Sequence, residues 1–141
     1  MASIERRIPS VDEYLDLRRS LGWKVPGAID AERALQHSTA TLCAVEDGEA
    51  VGMGRLVGDG AFYLFVVDLM VRPEHQHRGI GSRLLSGLEA EATRTSATGS
   101  LALVAERDVV AFYERQGFGR ATGSLFTKNL ERAPTSGKEN G

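Results

Sequence analysis

The run AFYLFVVDLMV, residues 61–71, is apolar at every position but Asp68, and with the loop and helix after it this run restricts the fold more than any other feature. A run of that length without polar alternation predicts a strand covered on both faces. A polar loop containing Pro73 comes next. Ile80, Leu84, Leu85, Leu88 and Ala92 then recur with the 3.6-residue period and predict a helix of about four turns. TRTSATGS ends that helix, and LALVAE, residues 101–106, predicts the next strand. Strand, helix and strand in this order imply a parallel crossover, with the helix lying on a sheet.

The remaining elements are marked by local signals. IERRI alternates and predicts a short edge strand. Ser10 followed by Glu13 is a capping box, and Val11, Tyr14, Leu15, Arg18 and Leu21 continue a helical stripe that Gly22 is placed to stop. WKVPG is a loop, and Asp30 is expected to cap a second helix through AERALQHS. TATLCAVE and EAVGMGRLV flank Asp47-Gly48, the strongest short hairpin signal. Asp108 is expected to cap VVAFYERQ, with Gly117 at C′ and Phe118 closing a Schellman motif. RATGSLFTKNL predicts a final strand.

The expected order is therefore β-α-α-β-β-β-α-β-α-β. This is a three-layer α/β (α+β) fold whose mixed sheet is mostly antiparallel with one parallel crossover. One domain is expected over residues 1–130, and the polar tail 131–141 is expected to be disordered.

Composition narrows the function classes. The 141 residues carry a net charge of −2, so the basic footprint of a nucleic-acid binder is absent. No stretch approaches the ~18 apolar residues of a membrane span, and MASIERRIPS has no secretory h-region, so the expected location is the cytoplasm. A single cysteine, Cys43, excludes an intrachain disulfide and a Cys-based zinc cluster. In TLCAV it reads as a small buried hydrophobe. His37, His75 and His77 are the only histidines, and no metal site is expected.

Arg78, Gly79, Ile80, Gly81 and Ser82 stand at the mouth of the predicted helix. Helix starts leave backbone amides unpaired at the positive end of the dipole, and glycines let a ligand approach those amides. Arg78 adds a forked cation and Ser82 a hydroxyl, so the segment suits an anion such as a phosphate. A Walker A loop would need a lysine, and residues 71–85 contain none. A dinucleotide fingerprint would need glycine at Leu84 and a strand running straight into the turn. The residues alone leave a ligandless helix start as the other reading.

Gln76-His77-Arg78-Gly79-Ile80-Gly81 matches the Q/R-x-x-G-x-G/A signature of the GNAT N-acetyltransferase superfamily without substitution. VVDLMVRPEHQ resembles the fourth strand and exit loop of that family, and VVAFYERQGF resembles its Phe-Tyr-Glu helix and Gly-Phe stop. The element order is similar from about Ile4 to Leu130. The resemblance implies a GNAT-like fold and an acetyl-CoA-dependent N-acetyltransferase, with acetyl-CoA as the acetyl donor and no metal. The implied pyrophosphate contacts are Gln76, Arg78, Gly79, Ile80, Gly81 and Ser82. The implied pantetheine contacts are Leu69, Met70 and Val71, by strand addition. Phe112 is implied beside the coenzyme. So is Glu106, although the family often has Asn there.

The implied reaction is direct attack of a primary amine on the thioester, which needs a proton acceptor, oxyanion donors and an acid for the thiolate. Tyr113 matches the family's tyrosine acid, and a phenol is protonated at neutral pH. Asp68 is either the general base or the structural partner of a backbone amide or an arginine, because a lone carboxylate in an apolar strand needs one role or the other. Strand parity groups it with Val66 and Met70. Glu106, His75 and ordered water are further base candidates. The family builds acceptor specificity from the first two helices and their loop, which implies Tyr14, Arg18 and Trp23 here, with Phe62 and Tyr63 as additions. Trp23 serves as an aromatic wall or as core. A small-molecule amine is the expected acceptor, and a homodimer is left open. A protein or peptide N-acetyltransferase and a non-catalytic coenzyme A-binding module are the rival readings.

Overall fold

In the computed structural model, which describes residues 1–96 and 99–130, the chain runs β1 (Ser3–Arg6), α1 (Val11–Ser20), α2 (Ala28–Gln36), β2 (Ala40–Glu46), β3 (Glu49–Gly58), β4 (Tyr63–Val71), α3 (Ile80–Thr95), β5 (Ser100–Ala102) and α4 (Val110–Arg115). Two compact units result, Met1–Glu106 and one that begins at Arg107.

The first unit holds the sheet, in the order β1-β2-β3-β4-β5. The first four strands pair antiparallel, and β5 joins β4 in parallel through the α3 crossover. Asp47 and Gly48 both have positive φ, 53° and 80°, which is the type I′ geometry that suits the twist of the β2–β3 hairpin. The capping box of α1 is complete: the Glu13 amide donates to Ser10 Oγ at 3.0 Å and the Ser10 amide donates to Glu13 Oε1 at 2.9 Å. Glu13 also accepts from both Arg7 and the Ala50 amide, which fixes the entry of α1 against the sheet.

Helices pack on both faces of the sheet. Tyr14 and Leu17 of α1 and Ala31 and Leu35 of α2 pack with Cys43, Met53 and Met70. On the opposite face α3 lies close to β3, and Gly54 is the reason it can. A Cβ added there would stand 2.7 Å from Leu88 Cδ1 and 3.2 Å from Leu69 Cδ1. Leu88 is fully buried and has no free space to retreat into. Gly54→Val is therefore expected to cost about 1–3 kcal/mol by overpacking, measured as a lowered urea midpoint with unchanged m.

The second unit contains α4, which begins at Val110 after a 3-10 turn over Arg107–Val109. Its stop is a Schellman motif: the Phe118 amide donates to Tyr113 O at 3.1 Å, and the Gly117 amide donates to Glu114 O at 3.0 Å with φ 95° at Gly117.

Four expectations change. Gly27, in extended conformation, is the N-cap of α2, so Asp30 lies within the first turn, where its charge meets the positive helix end. β5 is only three residues long. Residues 119–130 form no strand, and Leu125, Phe126 and Leu130 are exposed. The apolar pattern of that segment finds no ladder partner, and a strand exists only as half of a pair. Finally, the N-terminal half of β4 is not covered on both faces, since Tyr63 is 69% and Phe65 38% exposed. Residues 131–141, expected as a tail, lie outside the described residues.

Candidate active site

Strand β4 is irregular where the sequence places its single charge. Arg55 pairs with Val67 and Met53 with Met70, so Gly54 alone faces both Asp68 and Leu69. This is a β-bulge, and Asp68 takes the left-handed conformation at φ 53° to make it. The extra residue breaks the simple alternation: Val66 pairs with Leu56 on the α3 side, whereas Asp68 reaches side chains of α1 and β3 on the other. The parity expected from sequence, which grouped Asp68 with Val66, is corrected by that one residue.

Strand β5 pairs with β4 only from Tyr63 to Phe65. Among the described residues no strand pairs with that edge of β4 from Val66 to Val71. The edge therefore presents backbone amides and carbonyls in the stretch that contains Leu69, Met70 and Val71. The loop beyond β4 is tied back to it, because Gln76 Nε2 donates to Val71 O at 3.0 Å. His75 Nε2 lies 3.3 Å from Glu46 Oε2, which takes His75 toward β2.

Helix α3 begins on Gly79, a left-handed N-cap with φ 81° and no side-chain cap. Its first ladder bond runs from the Arg83 amide to Gly79 O at 3.1 Å. The amides of Ile80 and Gly81 come before that bond and have no intrahelical carbonyl. Arg78 and Gly79 are exposed, so this helix start is open to a ligand. Arg78 also lines a surface pocket with Glu46 and Arg83.

Asp68 is the hub of a polar cluster. Its carboxylate accepts from Tyr14 Oη at 2.6 Å, Arg18 Nη1 at 2.9 Å and Arg55 Nε at 2.9 Å, and Arg55 Nη2 lies at 2.8 Å. Burial, then the bond to Asp68 and its charge, raise the Tyr14 phenol above its ordinary range and keep it a donor. The geometry makes Asp68 the partner of two arginines, which is one of the two roles expected for it.

Arg55 is the residue that sequence reasoning missed. The signal was present: a lone cation in EAVGMGRLV and a lone anion in AFYLFVVDLMV, on successive strands of a meander, are candidates to pair. Tyr14, Arg18 and Trp23 are brought together. The Arg18 guanidinium carbon lies 5.7 Å from the Tyr14 ring centroid and 5.6 Å from that of Trp23. Trp23 is 40% exposed and is therefore not core. Phe62 and Tyr63 lie at the other end of β4, roughly 15 Å along the strand from Asp68, and do not join this group.

In the second unit, Phe112 and Tyr113 are neighbours in sequence and still touch edge to face, with centroids 5.1 Å apart. Phe118 packs on Tyr113 in the same manner at 6.0 Å. Burial raises the Tyr113 phenol above its ordinary range, so it is a protonated donor at neutral pH. Glu106, the last residue of the first unit, is exposed.

A profile of the Acetyltransferase (GNAT) family matches residues 8–118. The chain belongs to this family. As a GNAT chain it is 27% identical over 110 residues to an uncharacterized N-acetyltransferase of Porphyra purpurea, covering 75% of this chain and 63% of that one. It is 37% identical over 92 residues to the chloroplastic serotonin N-acetyltransferase 2 of rice, Oryza sativa, covering 61% of this chain and 44% of the relative. The chain thus spans less than two thirds of the length of these relatives. A GNAT family acetyltransferase of Streptococcus pneumoniae shares 30% identity and superposes with a TM-score of 0.76, covering 92% of this chain and all of that one. A probable acetyltransferase of Staphylococcus aureus has the same fold, with a TM-score of 0.82 at 24% identity over 92% of this chain and all of the other.

Proposed function

We propose that this GNAT chain is an N-acetyltransferase that moves the acetyl group of acetyl-CoA to the primary amine of a small molecule. The observation that carries the reading is the β4 edge from Val66 to Val71, unpaired among the described residues and followed within one unit by a helix whose first amides are open behind Gly79. A strand edge suits an extended arm bearing amides, and a helix start suits a pyrophosphate. Leu69, Met70 and Val71 would hold the arm. Arg78, Gly79, Ile80, Gly81 and Ser82 would hold the phosphates, with Gln76 bracing their loop. Acetyl-CoA supplies the activated acyl carbon when bound.

Tyr113 is the residue assigned to protonate the leaving sulfur. Asp68 is engaged by two guanidiniums, so the amine proton passes to water. Tyr14, Arg18 and Trp23 form the acceptor side. The relative named as a serotonin N-acetyltransferase supports a small amine as acceptor. The similarity to a protein named as histone acetyltransferase of Glycine max, 33% over 73 residues, keeps a peptide acceptor as the second reading.

Release of free thiol from acetyl-CoA across a panel of primary amines and peptides tests the assignment. The expected result is release that requires an amine, with no burst in its absence. Cys43 is fully buried, and burial pushes its thiol up to about 11, so it is no acyl carrier. Cys43→Ala is accordingly expected to retain turnover within about twofold. A burst that disappears in this variant would replace direct attack by an acyl-enzyme route.

A further inference from the structure

The two guanidiniums on Asp68 are not equivalent. Arg55 has a side chain only 10% exposed, and its groups are used: Nε and Nη2 face Asp68 Oδ2, and Nη1 donates to Ala34 O at 3.2 Å and Ser38 Oγ at 3.0 Å. Arg55 and Asp68 balance one another as a buried pair. Arg18 is then a surplus cation. Its Nε donates to Lys24 O at 2.6 Å and its Nη1 to Asp68 Oδ1 at 2.9 Å and Tyr14 Oη at 3.3 Å. Among the described residues Nη2 has no acceptor.

The Arg18 side chain is held rigidly between the Tyr14 and Trp23 rings, yet remains 19% exposed beside the half-exposed Trp23. A guanidinium fixed by stacking and three hydrogen bonds gives up little freedom when a ligand binds. Among the described residues Asp68 is the only carboxylate paired with either arginine, and Lys24 adds a further positive residue in the same loop. The cluster therefore has one uncompensated positive charge and the donors of one nitrogen, next to the β4 bulge. That matches a monoanionic carboxylate better than a dianionic phosphate, and it repels polycations.

We propose that Arg18 selects acceptor amines that carry a carboxylate, which Nη2 receives while the amine lies toward β4. The inference rests on the acetyltransferase reading for where the amine goes, but the carboxylate contact can be measured without turnover. Thiol release with 5-aminopentanoate, pentylamine and spermidine compares amines of similar basicity. The expected kcat/KM for the amino acid exceeds that for pentylamine by about tenfold at low salt, with spermidine lowest. Added salt should narrow the gap. Arg18→Gln should bring the ratio to about one, and Arg18→Lys, which keeps the charge but loses the stacked fork, should fall between Arg18→Gln and the wild type. A preference for pentylamine or spermidine, or an unchanged ratio in Arg18→Gln, overturns the proposal.

Absence of turnover with every amine would instead defeat the acetyltransferase reading. The binding arm then decides this proposal alone, because Trp23 is the single tryptophan and stacks on Arg18. Saturable change of its fluorescence with 5-aminopentanoate, absent with pentylamine and weakened at least about tenfold in Arg18→Gln, sustains the carboxylate site. No saturable change in the wild-type protein removes it.

Discussion

Asp68→Ala is expected to lower the free energy of unfolding by about 3–5 kcal/mol, read from urea or guanidinium transitions. The substitution removes the one acceptor shared by Tyr14, Arg18 and Arg55, and strands a guanidinium whose side chain is only 10% exposed. Breaking a buried pair from one side costs more than the pair contributes, since the remaining charge stays desolvated. That asymmetry separates an ion-pair role from a simple packing role. If the stranded charge is the cause, Asp68→Ala combined with Arg55→Met loses less than the single change, a non-additive cycle between residues in contact. Additive losses would show that Asp68 matters through the bulge geometry and not through its charge. Asp68→Asn keeps an acceptor for Tyr14 and should fall between wild type and alanine.

Tyr113→Phe is expected to reduce kcat by about 10²-fold or more while changing the apparent affinity for acetyl-CoA by less than about threefold. The ring contacts with Phe112 and Phe118 do not use the hydroxyl, and among the described residues that hydroxyl has no hydrogen-bond partner. Phenylalanine therefore preserves the packing of α4 and its Schellman stop, and the melting temperature should be little altered. The direction of the phenol's shift sharpens the test. Burial raises it above its ordinary range, so Tyr113 is protonated across the neutral region and adds no alkaline limb to kcat below about pH 10. Unchanged turnover in Tyr113→Phe would take this residue out of the chemistry and leave the thiolate to depart with a proton from water.

Features whose cause lies within a few residues are legible in the chain itself. The Ser10–Glu13 capping box, the Asp47-Gly48 hairpin and the Gly117-Phe118 stop all have the geometry their residues dictate. The stripe Ile80, Leu84, Leu85, Leu88 and Ala92 is buried as its period requires. Two elements mislead: Asp30 is the better cap by residue type, and RATGSLFTKNL has strand composition. In each case a short polymer signal meets a tertiary fact, namely a chain already extended into the helix at Gly27 and a segment without a pairing partner.

The sequence by itself determined the layered fold, the glycine-headed helix start and the family, because hydrophobic period, turn chemistry and the Gln76–Gly81 motif are local quantities. What pairs with Asp68 is fixed by tertiary contacts alone. Its partners stand 54, 50 and 13 residues away in the chain, and a single extra residue in β4 turns its side chain toward them. A lone charge in an apolar strand announces that something must neutralise it. Whether that is a proton from substrate or a pair of guanidiniums depends on which side chains folding brings within about 3 Å of it, at separations over which sequence spacing carries no information.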